Sequence, residues 1–120
     1  MAKDLNVSVL LDFYRDMLTE KQREVIELYY NEDLSLAEIS QLSNITRQGV
    51  RDSIKRGEAI LFDMEERLGL SKRFGEVQVQ IDKIIALTQN IGYYNDKRDF
   101  SPEIANLTKK ILETAKEINI

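Results

Sequence analysis

Cysteine and histidine are missing from this 120-residue sequence, and proline occurs once. Without them the chain has no disulfide, no thiol nucleophile, no zinc site of the Cys/His type and no imidazole base. The five glycines are scattered, so the sequence has no glycine-rich phosphate loop. These absences leave few routes to catalysis. The sequence therefore predicts a protein that is not an enzyme and that uses no metal or cofactor.

Long hydrophobic runs are missing as well. No apolar run approaches the roughly 18 residues that a membrane span needs, and charged and amide side chains interrupt the first eight residues, where a secretory signal would be apolar. We therefore expect a cytoplasmic protein without a membrane span.

Neither sign of charge dominates the chain. The 17 basic and 21 acidic side chains give a net charge of −4, which argues against binding of nucleic acid by bulk charge. The distribution is uneven, because residues 46–58 carry four basic side chains against two acidic ones. A local basic surface is thus expected inside an acidic protein.

Scarce proline and glycine, together with apolar residues at helical spacing, predict an all-α protein of six helices. Thr19, Ser35 and Thr46 have the side chains and spacing of N-caps for the second, third and fourth helices. Asn44 is expected to make a tight left-handed turn between the third and fourth helices. Gly69 is expected to end the fourth helix.

These signals and the apolar stripes set the expected bounds. The six helices cover about residues 4–17, 20–31, 36–43, 47–69, 71–91 and 102–118. Residues 92–100 begin with a glycine and carry many polar side chains, so we expect a loop there. The expected organisation is a trihelical helix-turn-helix domain at 1–69, ending in the long fourth helix, and a C-terminal helical hairpin at 70–120.

The expected hairpin carries one apolar stripe on each helix. The fifth helix has Phe74, Val77, Ile81, Ile84, Thr88 and Ile91, and the sixth has Ile104, Leu107, Ile111, Ala115 and Ile118. These stripes either cover the long fourth helix within one chain or form the interface of a symmetric homodimer. We favour the homodimer, with the hairpin as its dimerisation element.

Residues 35–57 contain the parts of a helix-turn-helix motif. Ile39 anchors its first helix, small Ser40 lets the helices cross closely, and Val50 and Ile54 form the buried side of the second helix. The opposite face displays the candidate nucleic-acid-binding residues Arg47, Gln48, Arg51, Lys55 and Arg56. Most of them are suited to positioning phosphates, and Gln48 and Arg51 are best placed to contact bases.

The basic residues of the fourth helix and the tyrosines can also be explained without binding of nucleic acid. The basic residues could form a merely solvated face in which Arg51 pairs with Asp52 or Glu58. The tyrosines invite a base-stacking interpretation, although packing in the core is the better explanation of Tyr29. Tyr93 and Tyr94 fit a helix end or an interface as well as a base platform.

Several segments resemble known bacterial proteins. Leu18–Ile26 and Ser35–Ser40 resemble the fourth region of bacterial sigma factors. Leu28–Tyr30, Thr46–Val50 and Asp52–Arg56 are similar to the YlxM family of small helix-turn-helix proteins, which also matches in total length. The resemblance covers about residues 5–75.

The YlxM resemblance implies a non-enzymatic accessory or regulatory protein of the signal recognition particle. Members are thought to bind the particle's RNA or its targeting GTPase, whose gene lies beside theirs; duplex DNA is a further candidate ligand. Two alternatives stay open. One is a transcription regulator that reads a DNA operator. The other is a protein-interaction module that uses the acidic face of the first two helices, which consists of Asp12, Asp16, Glu20, Glu24 and Glu27.

Overall fold

The structure, a computed structural model, describes residues 2–118. In that range the chain folds into six α-helices and no strand, which confirms the predicted fold class. The helices are α1 (Asn6–Tyr14), α2 (Glu20–Tyr30), α3 (Leu36–Ser43), α4 (Arg47–Leu68), α5 (Leu70–Lys97) and α6 (Pro102–Glu117). The chain divides between Ser71 and Lys72 into two compact units, which we call the head and the tail.

The helix caps predicted at Thr19, Ser35 and Thr46 are confirmed. The side chains of Thr19 and Ser35 accept hydrogen bonds from the backbone N–H groups of Gln22 and Glu38, whose own side chains accept from the cap residues in return. Thr46 caps α4 and Ser101 caps α6, where Pro102 takes the first helical position. These reciprocal bonds satisfy donors that the first turn of a helix leaves free.

Left-handed backbone conformations end two of the helices as expected. Asn44 has a φ of 56° after α3, and Gly69 has a φ of 62° after α4. Asp33, which the sequence did not single out, also has a positive φ of 55°. Asparagine, aspartate and glycine tolerate this conformation better than other residues.

Two of the predicted element bounds are wrong by more than two residues. The first helix ends at Tyr14, and a short 3₁₀ turn at Arg15–Met17 follows where one continuous helix was expected. The expected loop at 92–100 is mostly helix, because α5 continues to Lys97. The amide of Asn95 explains the second error, since it donates to the Ser101 carbonyl and accepts from the Ser101 N–H, both at 3.0 Å, and so closes a shorter turn.

The core of the head gathers apolar side chains from α1, α2, α3 and α4. Its fully enclosed members are Val7, Leu11, Val25, Ile26, Ile39, Val50, Ile54 and Leu61. Gly57 of α4 faces Ile26 so closely that a β-carbon there would lie 2.1 Å from Ile26 Cδ1. The missing side chain therefore lets α4 lie directly against α2.

Buried polar bonds fix the beginning of α5, which starts at Leu70 and not at the expected Ser71. The Tyr14 hydroxyl donates to Glu65 Oε1 at 2.6 Å and accepts from the Leu70 N–H at 3.0 Å. Glu65 Oε1 also accepts from the Ser71 N–H at 3.1 Å. Two donors of the first turn of α5 are thus satisfied by side chains from α1 and α4.

The tail is an antiparallel hairpin of α5 and α6. Its buried positions recur every seven residues, at Ile81, Thr88 and Asn95 on α5 and at Thr108 and Ala115 on α6. The expected single stripe on α5 is therefore divided, because Ile84 and Ile91 are about half exposed. No helix among residues 2–118 has the length and apolar character to cross a membrane.

Candidate nucleic-acid interface

The turn between α3 and α4 is held by Ser40. Its carbonyl accepts the Ile45 N–H at 3.3 Å, and its hydroxyl donates to the Ile45 carbonyl. Serine therefore contributes a bond that alanine could not make, in addition to the small size that the sequence suggested. The left-handed Asn44 lies inside this bonded loop, so the angle at which α4 leaves α3 is fixed locally.

Helix α2 holds the same turn from the side. The Lys21 ammonium donates to the carbonyl of Ser43 at 3.1 Å, and the Ser43 hydroxyl donates to Glu24 Oε1 at 3.3 Å. Ser43 is buried, so these bonds satisfy polar atoms inside the head. These bonds therefore tie the turn to α2 just before the first turns of α4.

Three of the predicted site residues lie along one line on α4. Arg47, Arg51 and Lys55 follow one another at four-residue intervals, which brings them to one flank of the helix. Gln48 is exposed beside them, and its amide donates to Asp52 Oδ1 at 3.0 Å. We call Arg47, Arg51 and Lys55 the α4 stripe.

Arg56 lies apart from the α4 stripe. It follows Lys55 by about 100° around the helix and lines a groove between α4 and the beginning of α2, beside Lys21 and Ser53. Sequence reasoning missed Lys21 and Ser53, because no local pattern indicates that α2 begins next to this part of α4. The groove is thus lined by two basic side chains from different helices together with the acidic side chain of Asp52.

The basic residues of the head differ in their ion pairing. Five of them have a carboxylate partner: Lys3 with Asp33, Arg15 with Asp12 and Glu27, Lys21 with Glu24, Arg23 with Asp16, and Arg67 with Asp63. Within the described residues, the α4 stripe and Arg56 take part in no ion pair. Arg51 does not pair with Asp52 or Glu58, which was the alternative that the sequence left open. Glu58 instead accepts a hydrogen bond from the Tyr30 hydroxyl at 3.1 Å.

The first turn of α4 contains no acidic residue, which is also true of α1 and α5. Helices α2, α3 and α6 each have one there, which complements the positive end of the helix dipole. Helix α4 instead begins with Arg47. The dipole and the arginine therefore add, and the first turn of α4 is an electropositive end that favours an anion.

Arg51 is less exposed than the sequence suggested. Its side chain is half-buried against the head, and its Nε atom is enclosed without a hydrogen-bond partner. A buried unpaired donor costs about 1–3 kcal/mol. The arrangement keeps the arginine against the protein surface instead of extended into solvent.

The acidic face of α1 and α2 is largely neutralised. Of its five carboxylates, Asp12, Asp16, Glu24 and Glu27 lie within ion-pair distance of arginine or lysine. This leaves Glu20 as the member without such a partner among the residues that the structure describes. Little unpaired negative charge therefore remains on this face.

Tyr29 and Tyr30 belong to the fold of the head. Packing in the core was the explanation that the sequence favoured for Tyr29. Tyr29 is buried with its ring 4.5 Å from the Lys3 ammonium, and the two tyrosine rings meet edge to face with centroids 5.1 Å apart. Tyr93 and Tyr94 are more than half exposed on the last turns of α5. The second pair therefore lies on a helix and not in a loop.

A family profile described as "Putative helix-turn-helix protein, YlxM / p13 like" matches residues 1–99. This range includes the whole head, its helix-turn-helix and all of α5. The chain belongs to the UPF0122 family. The resemblance to YlxM proteins that the sequence indicated is thereby confirmed.

Individual UPF0122 relatives cover nearly the whole chain. A UPF0122 protein of Clostridium novyi (strain NT) is 41% identical over 113 residues, which are 94% of this chain and 98% of the relative. A UPF0122 protein of Thermoanaerobacter sp. (strain X514) is 43% identical over 116 residues, covering 97% and 96% of the two chains. Another, from Thermoanaerobacter pseudethanolicus, is 44% identical over 115 residues, covering 96% and 95%. The similarity therefore includes the tail as well as the head.

Proposed function

We propose that this UPF0122 protein is a non-enzymatic accessory or regulatory protein of the signal recognition particle pathway. In this proposal it binds nucleic acid through the first half of α4. Arg47, Arg51, Lys55 and Arg56 contact phosphates, and Gln48 together with Arg51 reaches base edges. The ligand proposed first is the particle's RNA, alone or with its targeting GTPase.

The observation that carries the proposal is the set of unpaired cations on α4. The other basic side chains of the head lie beside carboxylates, although the head has fourteen acidic side chains to offer. Unpaired Lys and Arg on one helix face can neutralise phosphates without first breaking an ion pair. The electropositive first turn of α4 adds to this, since phosphate groups bind at helix N-termini.

The environment of Arg51 supports the proposal that its guanidinium forms a hydrogen bond only when nucleic acid is bound. Its enclosed Nε lacks an acceptor in the free protein, so a phosphate or base oxygen that draws the guanidinium outward would relieve an unpaired donor. The choice of pathway rests on the YlxM resemblance.

Binding to three ligands at two salt concentrations tests this function. The ligands are the particle's RNA, random duplex DNA, and the targeting GTPase with and without the RNA. Lys55→Ala and Arg56→Ala should each weaken RNA binding and lower the salt slope by about one unit per lost phosphate contact. Arg67→Ala is the matched control, because Arg67 lies on the same helix and is paired with Asp63 at 3.0 Å.

The outcomes separate the alternatives. An operator-reading regulator would prefer one DNA sequence over bulk DNA by at least about 10³-fold. A protein-interaction module on α1 and α2 would keep its affinity in the α4 variants and lose it on charge reversal of Asp16 or Glu24. Equal effects of Arg67→Ala and Lys55→Ala on RNA binding would contradict the assignment of the site to α4.

A further inference from the structure

The tail exposes large apolar side chains that its own two helices do not cover. On α5, Ile84, Leu87 and Ile91 are between 48% and 63% exposed. On α6, Ile104, Leu107 and Ile111 are between 42% and 57% exposed. We call these six residues the tail stripes. Single exposed apolar residues are common on protein surfaces, but two aligned stripes of them indicate an interaction surface.

The seam between α5 and α6 is poor in large apolar groups. Three of its buried residues, Thr88, Asn95 and Thr108, are polar, and Ala115 is small. The two threonine hydroxyls donate to carbonyls of their own helices, Thr88 to Ile84 at 2.7 Å and Thr108 to Ala105 at 3.0 Å. More of the tail's large aliphatic surface is therefore left on its outer face than at the seam. Helices are stable when such a face is buried against a further layer.

An apolar groove joins the two stripes. It is formed by Ile84 of α5 together with Leu107, Ile111 and Ala115 of α6. The groove thus resembles the space between two helices of a bundle, which a further helix would fill.

We infer that this face is covered by the tail of a second copy of the chain, so that two hairpins form a four-helix bundle. The two stripes have the same spacing, because Ile84, Leu87, Ile91 and Ile104, Leu107, Ile111 each follow a three-then-four pattern. Since α5 and α6 are antiparallel, a two-fold axis that lies between the two faces and runs parallel to the helices places the α5 stripe of each copy along the α6 stripe of the other. Equal spacing lets the side chains interdigitate as in a left-handed bundle.

The charge of the tail also fits a second copy. From Lys72 onward the sequence has eight basic and seven acidic side chains, whereas the preceding residues have nine and fourteen. Two tails can therefore approach without net repulsion, while two heads would repel each other. A strongly charged partner would gain no long-range attraction to this face.

Sedimentation of the full chain over a range of concentrations tests the inference. We expect a species of twice the 13.9 kDa chain mass that Leu107→Glu or Leu87→Glu shifts toward the monomer by at least tenfold in dissociation constant. The matched control is Leu42→Glu, which places the same charge on an exposed leucine of the head (66% exposed) and should leave the dimer intact.

A second measurement does not depend on a disruptive variant. The chain has no cysteine, so Ile111→Cys and Lys109→Cys each introduce one thiol on α6, in the groove and outside it. Maleimide should label the Ile111→Cys thiol more slowly as protein concentration rises, and the Lys109→Cys thiol at a constant rate. A chain that stays monomeric, a dimer that survives both glutamate variants, or equal labelling of the two thiols would overturn the inference. None of these measurements uses nucleic acid, so their result is separate from that of the RNA-binding test.

Discussion

Gly57 is the residue at which side-chain volume matters most directly for the packing of α4 on α2. A β-carbon there would lie 2.1 Å from Ile26 Cδ1 and 3.2 Å from its Cγ1, and Ile26 is fully buried, so its side chain would have to change position within the core. Gly57→Ala should lower the free energy of unfolding by about 1–3 kcal/mol through overpacking, although alanine is the better helix former. Urea unfolding followed by circular dichroism measures this. Gly75→Ala, with open space around the new carbon, is the control and should not destabilise.

Tyr30 should make the folding stability of the head fall at alkaline pH. Burial raises the pKa of Tyr30 to about 12. The hydrogen bond from the Asp4 N–H opposes this rise, and the hydrogen bond to Glu58 adds to it. Because the folded pKa lies above the ordinary value of about 10, this stabilisation is complete below pH 10 and is lost as the pH rises toward 12. Thermal midpoints between pH 9 and 11.5 should fall more steeply for the wild type than for Tyr30→Phe. Parallel curves for the two proteins would show that Tyr30 does not titrate in this way.

At the scale of a helix, Gly92 distinguishes the observed α5 from the loop that the sequence predicted. It lies inside α5, and apart from its own helical turn nothing lies within 4 Å of an added β-carbon. Gly92→Ala should therefore stabilise the protein by up to about 1 kcal/mol. Gly69→Ala should destabilise it by about 1 kcal/mol, because Gly69 has a φ of 62°. Chemical unfolding of both variants measures the contrast, and a loss of stability in Gly92→Ala would mean that α5 ends earlier.

Helix starts were predictable because their determinants are local. Each cap bonds to a residue three positions away, as Thr19 does to Gln22 and Ser35 to Glu38. Two bounds could not be predicted this way. Tyr14 ends α1 in a conformation tied to α4 and the start of α5 through its buried hydroxyl, and the turn after α5 is closed by the amide of Asn95, six residues before its partner Ser101.

At the scale of the whole molecule, the proposed site has to attract a polyanion to a chain of net charge −4. The position of a charged side chain on α4 should then affect the affinity for nucleic acid more than the net charge of the chain does. Asp52→Asn removes a carboxylate beside the α4 stripe and should raise affinity for nucleic acid roughly fivefold at low salt, about 1 kcal/mol. Asp63→Asn makes the same change in net charge farther along α4 and should have little effect. The difference should vanish near 1 M salt, where the screening length is about 3 Å, and equal gains from both variants would show that bulk charge controls binding.

The residues of the proposed site were all named from the sequence, but their grouping was not. Helical spacing alone puts Arg47, Arg51 and Lys55 on one flank. It does not reveal that Arg56 borders a groove with Lys21 of α2, or that Arg51 is half-buried. The groove depends on how α2 and α4 pack, because Lys21 and Arg56 lie more than thirty positions apart in the sequence. The burial of Arg51 likewise depends on the folded head.

Local interactions are enough to predict the helical class, the caps, the left-handed turn at Asn44 and the basic patch on α4, because each depends on residues within about one helical turn. Long-range packing sets which side of the repeating apolar pattern in α5 is buried, where α1 ends and which cations are left without carboxylates. A repeating apolar pattern is compatible with many partner surfaces, so the pattern alone selects none of them. The folded chain selects one by bringing side chains that are distant in the sequence into contact.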